Sequence, residues 1–594
     1  MSARMHGWAL SALLLTANPG AATAATSPAG AAAAGTRAVS AASAGFGHYQ
    51  PPPQYTARVS HSFYLAMRDG TRLAVRVTQP AADGRPAPGR FPVLWHGNLT
   101  ITEWGAPPGS PRANGYGGIS QLTDYGYIVV QVARRGNGQS FGARRGYHER
   151  NEAYDAYEIT EWLAAQPWSN GRIGVYGCSN TGDAAMHTIT VQPPHLKAVW
   201  AGCFSWSKYD AMRRGGVFAQ WGTGPQRTLE EDMSVEPVDG DASKTLLRQA
   251  AIEHQQSTVL YDLWKGLPYR DSLSPLVVSR FWGEGSASSY ADQLRRSGVA
   301  LYIQGAWHDE FRDQGLTTFL NYPGARVIIG PWRHCENPGF ALLEEIHRFF
   351  DQQLKGVDTG LAREPQIHYY TINAAAGTEW RTSASWPVAG ARARRLYLGA
   401  EQRLQPQAPA TPVPQGFVVN ANLQCPAGGM GAFMQPCHLP GEGVSLAGDV
   451  LTADTEVTGD PVVELRLNVD RTDADVFAYL EDVDAAGKVT VVTEGRLRAS
   501  LRKLDEAPYK LPGIPWHRAY AEDAAPLQPG ENVTLRFAMM PASYVFKAGH
   551  RIQVTVTGGD YRQRDREPAA QGARVTLNAD QAAGSFVDLP VVAR

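Results

Sequence analysis

Arg172-Ile-Gly-Val-Tyr-Gly177-Cys-Ser179-Asn-Thr-Gly182, followed by Asp183-Ala-Ala-Met186, is the stretch whose reading decides the fold. An apolar run enters it, a serine stands at its centre, and small, helix-compatible residues leave it. That is the pattern of a serine held on a sharp strand-to-helix turn, which closes only if its neighbours are small. Gly177 and Gly182 supply the room. The spacing is G-x-S-x-x-G, not the commoner G-x-S-x-G, so placement between strand and helix carries the reading more than the motif does.

Outward from this turn, Phe91 to Trp95, Tyr127 to Val132, Arg172 to Tyr176 and Leu196 to Trp200 are apolar runs without alternation, as in parallel strands covered on both faces. Between the second and third, Glu152 to Gln166 places Tyr154, Tyr157, Ile159, Trp162 and Leu163 near one helical face. Strand, helix, strand at this spacing predicts an α/β fold with a mostly parallel, doubly wound sheet over residues 55–204. The rhythm breaks over 205–297, rich in Trp, Tyr and Arg, which reads as a helical insertion. It resumes over 298–358, with strands at Val299 to Ile303 and Ala325 to Ile329. From 359 to 594 the pattern alternates, as in Leu465, Leu467, Val469 and Ile552, Val554, Val556, which predicts a separate antiparallel β-sandwich. No repeat of fixed period is found.

A nucleophilic serine needs a base, and the base a carboxylate to orient it. In this fold class the chain order is Ser, Asp or Glu, His, the last two at the carboxyl ends of later strands. Asp309 lies just past one such strand, in Gly305-Ala-Trp-His-Asp309, and His334 just past the next, in Gly330-Pro-Trp-Arg-His334. Either alone reads as a solvated loop residue; all three in order read as the triad Ser179, Asp309, His334. His308 competes as base, but a chain neighbour of Asp309 does not easily turn one ring nitrogen to that carboxylate and the other to Ser179. Glu310 is an alternative acid.

The run from Asp155 through Glu161-Trp-Leu-Ala-Ala-Gln-Pro-Trp-Ser-Asn-Gly171 to Gly177-Cys-Ser179 resembles the CocE/NonD (cocaine esterase-like) hydrolases, relatives of the X-Pro dipeptidyl peptidases and α-amino-acid ester hydrolases. Arg135-Gly-Asn-Gly-Gln-Ser140, Trp307-His-Asp309, Gly330 to His334 and the C-terminal half extend the likeness over nearly the whole mature chain. The resemblance implies an α/β-hydrolase core, a mainly helical cap and a C-terminal jelly roll. It departs at Leu99, near the place of a tyrosine that in the family donates to the oxyanion. The first oxyanion donor is then the backbone N–H of Asn180. For the second, the candidates are the Asn98 amide or a backbone N–H around Gly97 or Asn98.

The insertion supplies Trp206, Tyr209, Phe218, Trp221, Tyr261, Trp264, Phe281 and Trp282, most of which are expected to pack the cap while a few line an acyl pocket. Trp206, Tyr209, Asp210, Trp307 and Glu310 are the substrate-binding candidates; in the amino-ester hydrolases acidic residues bind the substrate's amino group, and Asp210, Glu310 and Asp313 are placed for it. The reading is therefore an esterase for an α-amino-acid or other small acyl ester, with an X-Pro dipeptidyl peptidase or amide acylase as alternative and a binding protein with a silent core as a third. The intact triad order opposes the third.

The 594 residues carry 55 Lys+Arg and 56 Asp+Glu, a net charge of −1, so no whole-chain field draws nucleic acid or anionic membrane. The cluster Arg134, Arg135, Arg144, Arg145 and Arg150 is expected to pair with carboxylates. No Cys or His cluster has metal-ligand spacing, and no cofactor is expected. Arg4, the apolar Trp8 to Thr16 and Ala22-Thr23-Ala24 read as a signal peptide over 1–24, followed by a low-complexity leader over 25–54. The expectation is an exported, periplasmic or secreted protein, soluble after signal removal, with a homo-oligomer left open. No Cys precedes position 178, which excludes a lipid-bearing cysteine after the signal. Of the five cysteines, Cys425 and Cys437 are the expected disulfide, while Cys178, Cys203 and Cys335 read as small buried core residues.

Overall fold

The computed structural model describes residues 44–102, 114–146, 148–218, 227–411, 413–420, 422–423, 437–561, 570–578 and 584–593. The expected signal peptide, most of the leader, Trp221 and Cys425 lie outside them.

The first layer is a large mixed sheet. Its main strands are β1 (Ala57–Ala66), β2 (Arg72–Ala82), β3 (Phe91–Asn98), β4 (Ile128–Ala133), β5 (Ser169–Cys178), β6 (Leu196–Gly202), β7 (Ala300–His308), β8 (Arg326–Arg333), β9 (Ile367–Tyr370) and β10 (Trp380–Ser383). They lie in the order β1-β2-β4-β3-β5-β6-β7-β8-β9-β10, and every neighbouring pair from β4 to β9 is parallel. The unalternated apolar runs follow from this arrangement. Trp95, Val175, Val199 and Ile303 pack into a core on one face, while Leu94, Tyr176, Trp200 and Tyr302, their chain neighbours, pack into a second core on the other. Helices α1 (Arg150–Ala164) and α2 (Asn180–Thr190) cover the first face through Ile159, Leu163, Met186 and Ile189. Further along the chain, Ile346, Phe349 and Phe350 of the helix Leu342–Phe350 cover the second. Each such side chain taken out of water favours the fold by about 1.5–3 kcal/mol.

Between β6 and β7 the described residues form the helices α3 (Lys208–Met212), α4 (Leu229–Met233), α5 (Thr245–His254), α6 (Leu260–Lys265), α7 (Phe281–Glu284) and α8 (Ala291–Arg296), with short 3-10 turns and one isolated β-bridge, Ser274 to Ser279. Tyr209, Phe218, Trp264, Phe281 and Trp282 form their common core. After β7 the chain enters α9 (Arg312–Asn321).

The C-terminal region is all-β, with one sheet of nine strands and one of four among the described residues, antiparallel throughout. Val463, Leu465, Leu467 and Val469 of the strand Val462–Val469 all point into its core, so the period-two pattern marks a sheet with one buried face. The α/β sheet does not end at the expected boundary of 359. β9 and β10 lie beyond it yet extend the α/β sheet, since Val327, Ile328 and Ile329 of β8 pair with Ile367, His368 and Tyr369. A four-residue strand carries no periodicity that reveals which sheet it joins; its hydrogen-bond partner does. The antiparallel pair β1–β2 at the opposite edge likewise went unread in the sequence.

Candidate active site

β5 ends at Cys178, α2 begins at Asn180, and Ser179 stands between them with φ 62° and ψ −128°. A non-glycine residue at positive φ is strained and persists only where its surroundings hold it. Here they do: the Ser179 N–H donates to the Gly202 carbonyl at 2.9 Å, and the Thr181 hydroxyl links both backbone polar groups of Cys178 at 2.8 Å. A Cβ on Gly177 would fall 2.2 Å from the Thr181 carbonyl oxygen, and one on Gly182 would fall 2.4 Å from that of Gly202. These close approaches are why both positions are glycine. The Asn180 N–H belongs to the first turn of α2, whose amides have no acceptor within the helix and lie at its positive end.

Asp309 follows β7 directly and is 1% exposed, while His334 follows β8. His334 Nδ1 lies 3.0 Å from both carboxylate oxygens of Asp309. An ionised carboxylate only accepts, so Nδ1 carries the proton and Nε2 keeps its lone pair. Burial opposes the charged form of His334, but the charge and hydrogen bond of Asp309 outweigh it and hold the imidazole pKa above its ordinary value. The Phe311 ring, 5.5 Å from the His334 ring, packs beside it. His308 is different: burial, then Arg312 and Arg333, push its pKa down to about 4. Glu310 is engaged with Arg496 at 3.2 Å, both nearly fully buried.

Residues 69–336 match the model of the X-Pro dipeptidyl-peptidase (S15) family, and residues 359–584 match that of the X-Pro dipeptidyl-peptidase C-terminal non-catalytic domain. The chain is 28% identical to a Mycobacterium bovis protein provisionally named a serine esterase, over 91% of this chain and 96% of that one. It is 25% identical to the cocaine esterase of a Rhodococcus strain, over 86% and 93%. In fold it resembles a CocE/NonD-family hydrolase from Staphylococcus aureus (TM-score 0.69, 20% identity, 90% of this chain and 94% of that one). It also resembles an α-amino-acid ester hydrolase (TM-score 0.67, 18% identity, 91% and 98%). Over most of its length the chain is thus similar to the X-Pro dipeptidyl-peptidase and CocE/NonD hydrolases, on an α/β-hydrolase fold. It is a serine hydrolase.

Two features of this hydrolase escaped the sequence. Cys178 and Cys335, read as separate core residues, form a disulfide across a sequence separation of 157, with Cα atoms 5.9 Å apart. Nothing in the local sequence of either reveals a partner so distant. The bridge joins the residue before Ser179 to the residue after His334. Cys203 is buried and free, its sulfur within 4.8 Å of both bridged sulfurs and, separately, of the Asp309 and His334 ligand atoms. Burial, followed by the charge and hydrogen bond of Asp309, drives its thiol pKa well above the ordinary value, so it stays protonated. Cys437 is also disulfide-bonded; its expected partner Cys425 lies outside the described residues.

The second feature is a buried polar web behind Asn180. Arg134, itself paired with Glu152 at 2.8 Å, donates to the Asn180 side-chain oxygen at 3.0 Å. His148 Nε2 lies 2.8 Å from the Asn180 carbonyl, and its Nδ1 lies 3.1 Å from Lys208 Nζ, which also reaches Asp183 at 2.7 Å. Burial above all keeps His148 neutral, so Nε2 donates to the carbonyl and Nδ1 accepts from the lysine. Of the basic cluster, Arg134 pairs with Glu152 and Arg135 with Asp69 and Asp155, while the Arg150 guanidinium donates to the hydroxyl and carbonyl of Thr190.

The substrate-binding candidates are scattered. Trp206 and Tyr209 are 1% exposed; the Tyr209 hydroxyl donates to the Pro268 carbonyl. Trp307 belongs to the sheet core and donates to the Tyr370 carbonyl at 2.6 Å. Trp206, Tyr209 and Asp210 border a cavity of ≈ 110 Å³ shared by cap, core and C-terminal region, whose lining includes neither Ser179 nor His334. Each acidic candidate has an arginine: Arg270 on Asp210 at 2.7 Å, Arg214 on Asp313 at 2.6 Å and Arg496 on Glu310. Asn98 ends β3, and its side-chain oxygen accepts the Leu99 N–H at 2.8 Å.

Proposed function

We propose that this hydrolase is an exported esterase that cleaves small acyl esters through an acyl-enzyme on Ser179. The observation that carries the reading is the His334–Asp309 pair, whose geometry leaves Nε2 as an acceptor, on a loop bonded through Cys335 to the residue before Ser179, itself on a strained strand-to-helix turn. His334 Nε2 takes the Ser179 hydroxyl proton as the oxygen attacks the ester carbonyl, and Asp309 stabilises the imidazolium. The Asn180 N–H and the Asn98 side-chain NH₂ face the oxyanion; accepting from Leu99 holds the Asn98 carbonyl oxygen back and leaves its NH₂ to donate. His334 then protonates the leaving alcohol and activates the water that frees Ser179.

The arginine pairing favours an ester without a free α-amino group. A buried ammonium needs an uncompensated carboxylate, and Asp210, Glu310 and Asp313 are each neutralised by a guanidinium. Cleavage of an X-Pro dipeptide is the alternative. The signal-like N-terminus and the two disulfide-bonded sites support export, because such bonds persist in oxidising compartments. A panel of p-nitrophenyl esters, aminoacyl esters and X-Pro anilides tests the choice. Simple acyl esters are expected to give the highest kcat/KM, and preference for X-Pro anilides would overturn it.

A further inference from the structure

In the sheet, β5 and β8 are not neighbours; β6 and β7 lie between them. At the usual strand spacing their ends stand about 14 Å apart. A base carried at the end of β8 therefore faces Ser179 only if the loop after β8 turns back across two strand ends. The hydrogen bonds that anchor this loop run to β7, within the loop itself and to the segment before β4: Gln304 Nε2 donates to the Glu336 carbonyl at 3.3 Å, Trp332 to that of Pro338 at 3.2 Å, and Asn337 to those of Phe340 at 2.9 Å and Asn114 at 3.2 Å. They tie the loop to β7 and to the segment that precedes β4. The covalent bond that crosses to the nucleophile's strand is Cys178–Cys335. Cys335 sits at φ 58°, a sharp backbone turn immediately after His334.

We infer that the Cys178–Cys335 disulfide is a positioning element of the catalytic site, holding the His334 loop against the Ser179 turn so that the hydrolase is competent only when oxidised. The inference rests on Ser179 and His334 acting as nucleophile and base. Its consequence is a redox requirement. In a reducing compartment the chain folds but the base is not held on the nucleophile, and activity appears once the chain reaches an oxidising one. The third cysteine does not scramble the bond, because attack requires a thiolate and the Cys203 thiol, buried against the Asp309 carboxylate, is kept protonated. Reduction needs an outside dithiol: two thiolate attacks by dithiothreitol cleave the S–S bond, two protons and two electrons pass to Cys178 and Cys335, and the reductant closes to its cyclic disulfide. Cys335 is partly exposed and offers the sulfur to be attacked.

The test compares the full-length oxidised protein with the same protein reduced by dithiothreitol under native conditions, the freed thiols being located by mass spectrometry of alkylated aliquots. A misplacement of about 1 Å at a reacting pair costs about 100-fold. Reduction is accordingly expected to lower kcat on a p-nitrophenyl ester about 100-fold with little change in KM. Far-UV circular dichroism and a cooperative thermal transition should persist, and reoxidation should restore the rate. The double variant Cys178→Ala/Cys335→Ala should match the reduced enzyme without any reductant. Cys437→Ala, which removes the other bridge, should keep both wild-type activity and its loss on reduction. Unchanged kcat with Cys178 and Cys335 demonstrably reduced overturns the inference, as does loss of the cooperative transition, which makes the bond a fold staple instead. Failure of the oxidised wild type to react with a fluorophosphonate strikes the Ser179 reading itself, and so is distinguishable.

Discussion

Replacing Asp309 by Asn is the most direct probe of the site. Asp309 is 1% exposed, accepts the Phe311 N–H at 3.4 Å and the Cys203 thiol, and holds His334 Nδ1 with both oxygens. An amide of the same shape has one acceptor oxygen, which the Phe311 and Cys203 donors claim. Its NH₂ is left facing Nδ1 and forces the proton onto Nε2, the nitrogen that must accept from Ser179. A triad locked in the wrong tautomer loses about 10⁴ in kcat, which is about 5.4 kcal/mol of transition-state stabilisation. The pH profile moves as well. The His334 pKa is raised in the folded protein, and the reactive form is neutral, so wild-type kcat/KM should fall on the acid side with a midpoint above about 6.5. The linked stability has the opposite dependence: it is fully present below the unfolded pKa of about 6.5 and is lost as pH rises through the folded value. In Asp309→Asn the opposing effect of burial remains without the carboxylate, and the acid midpoint should move down. The assay is hydrolysis of a p-nitrophenyl ester between pH 5 and 9, with circular dichroism to confirm folding. A folded Asp309→Asn enzyme that keeps more than about a tenth of wild-type kcat, or an unmoved acid midpoint, would refute the assignment of acid and base.

Two other substitutions probe the turn and the oxyanion. Gly177→Ala places a methyl group 2.2 Å from a backbone carbonyl that cannot swing aside, so it should destabilise the fold by at least about 3 kcal/mol in urea unfolding and abolish fluorophosphonate labelling. Asn98→Ala should lower kcat about 10²- to 10³-fold with little change in KM in steady-state ester hydrolysis; an unaltered kcat would move the second donor elsewhere.

How legible the site was depended on whether its causes are local. The turn at Ser179 was readable because a strained φ demands small neighbours within a few residues, and Gly177 and Gly182 stand in the chain beside it. Asp309 and His334 were readable because strand ends can be located from apolar runs and the fold class prescribes their order. The bridge between Cys178 and Cys335 was not, nor was the web of Arg134, His148, Lys208 and Asp183 around Asn180. Each joins side chains that are ordinary in their own segments, from strand, loop and cap, and that meet only when the sheet is assembled.

The same division holds for the protein as a whole. Hydrophobic periodicity and chain order alone determined the α/β core, the helical insertion, the alternating C-terminal strands and the three candidate catalytic positions, because backbone geometry ties those patterns to residues a few places apart. Tertiary structure decided which sheet Ile367–Tyr370 joins, which carboxylates are already neutralised by arginine, and that the residue after His334 is covalently bonded to the residue before Ser179. Those are distances between segments far apart in the chain, and a sequence read along its length carries no measure of them.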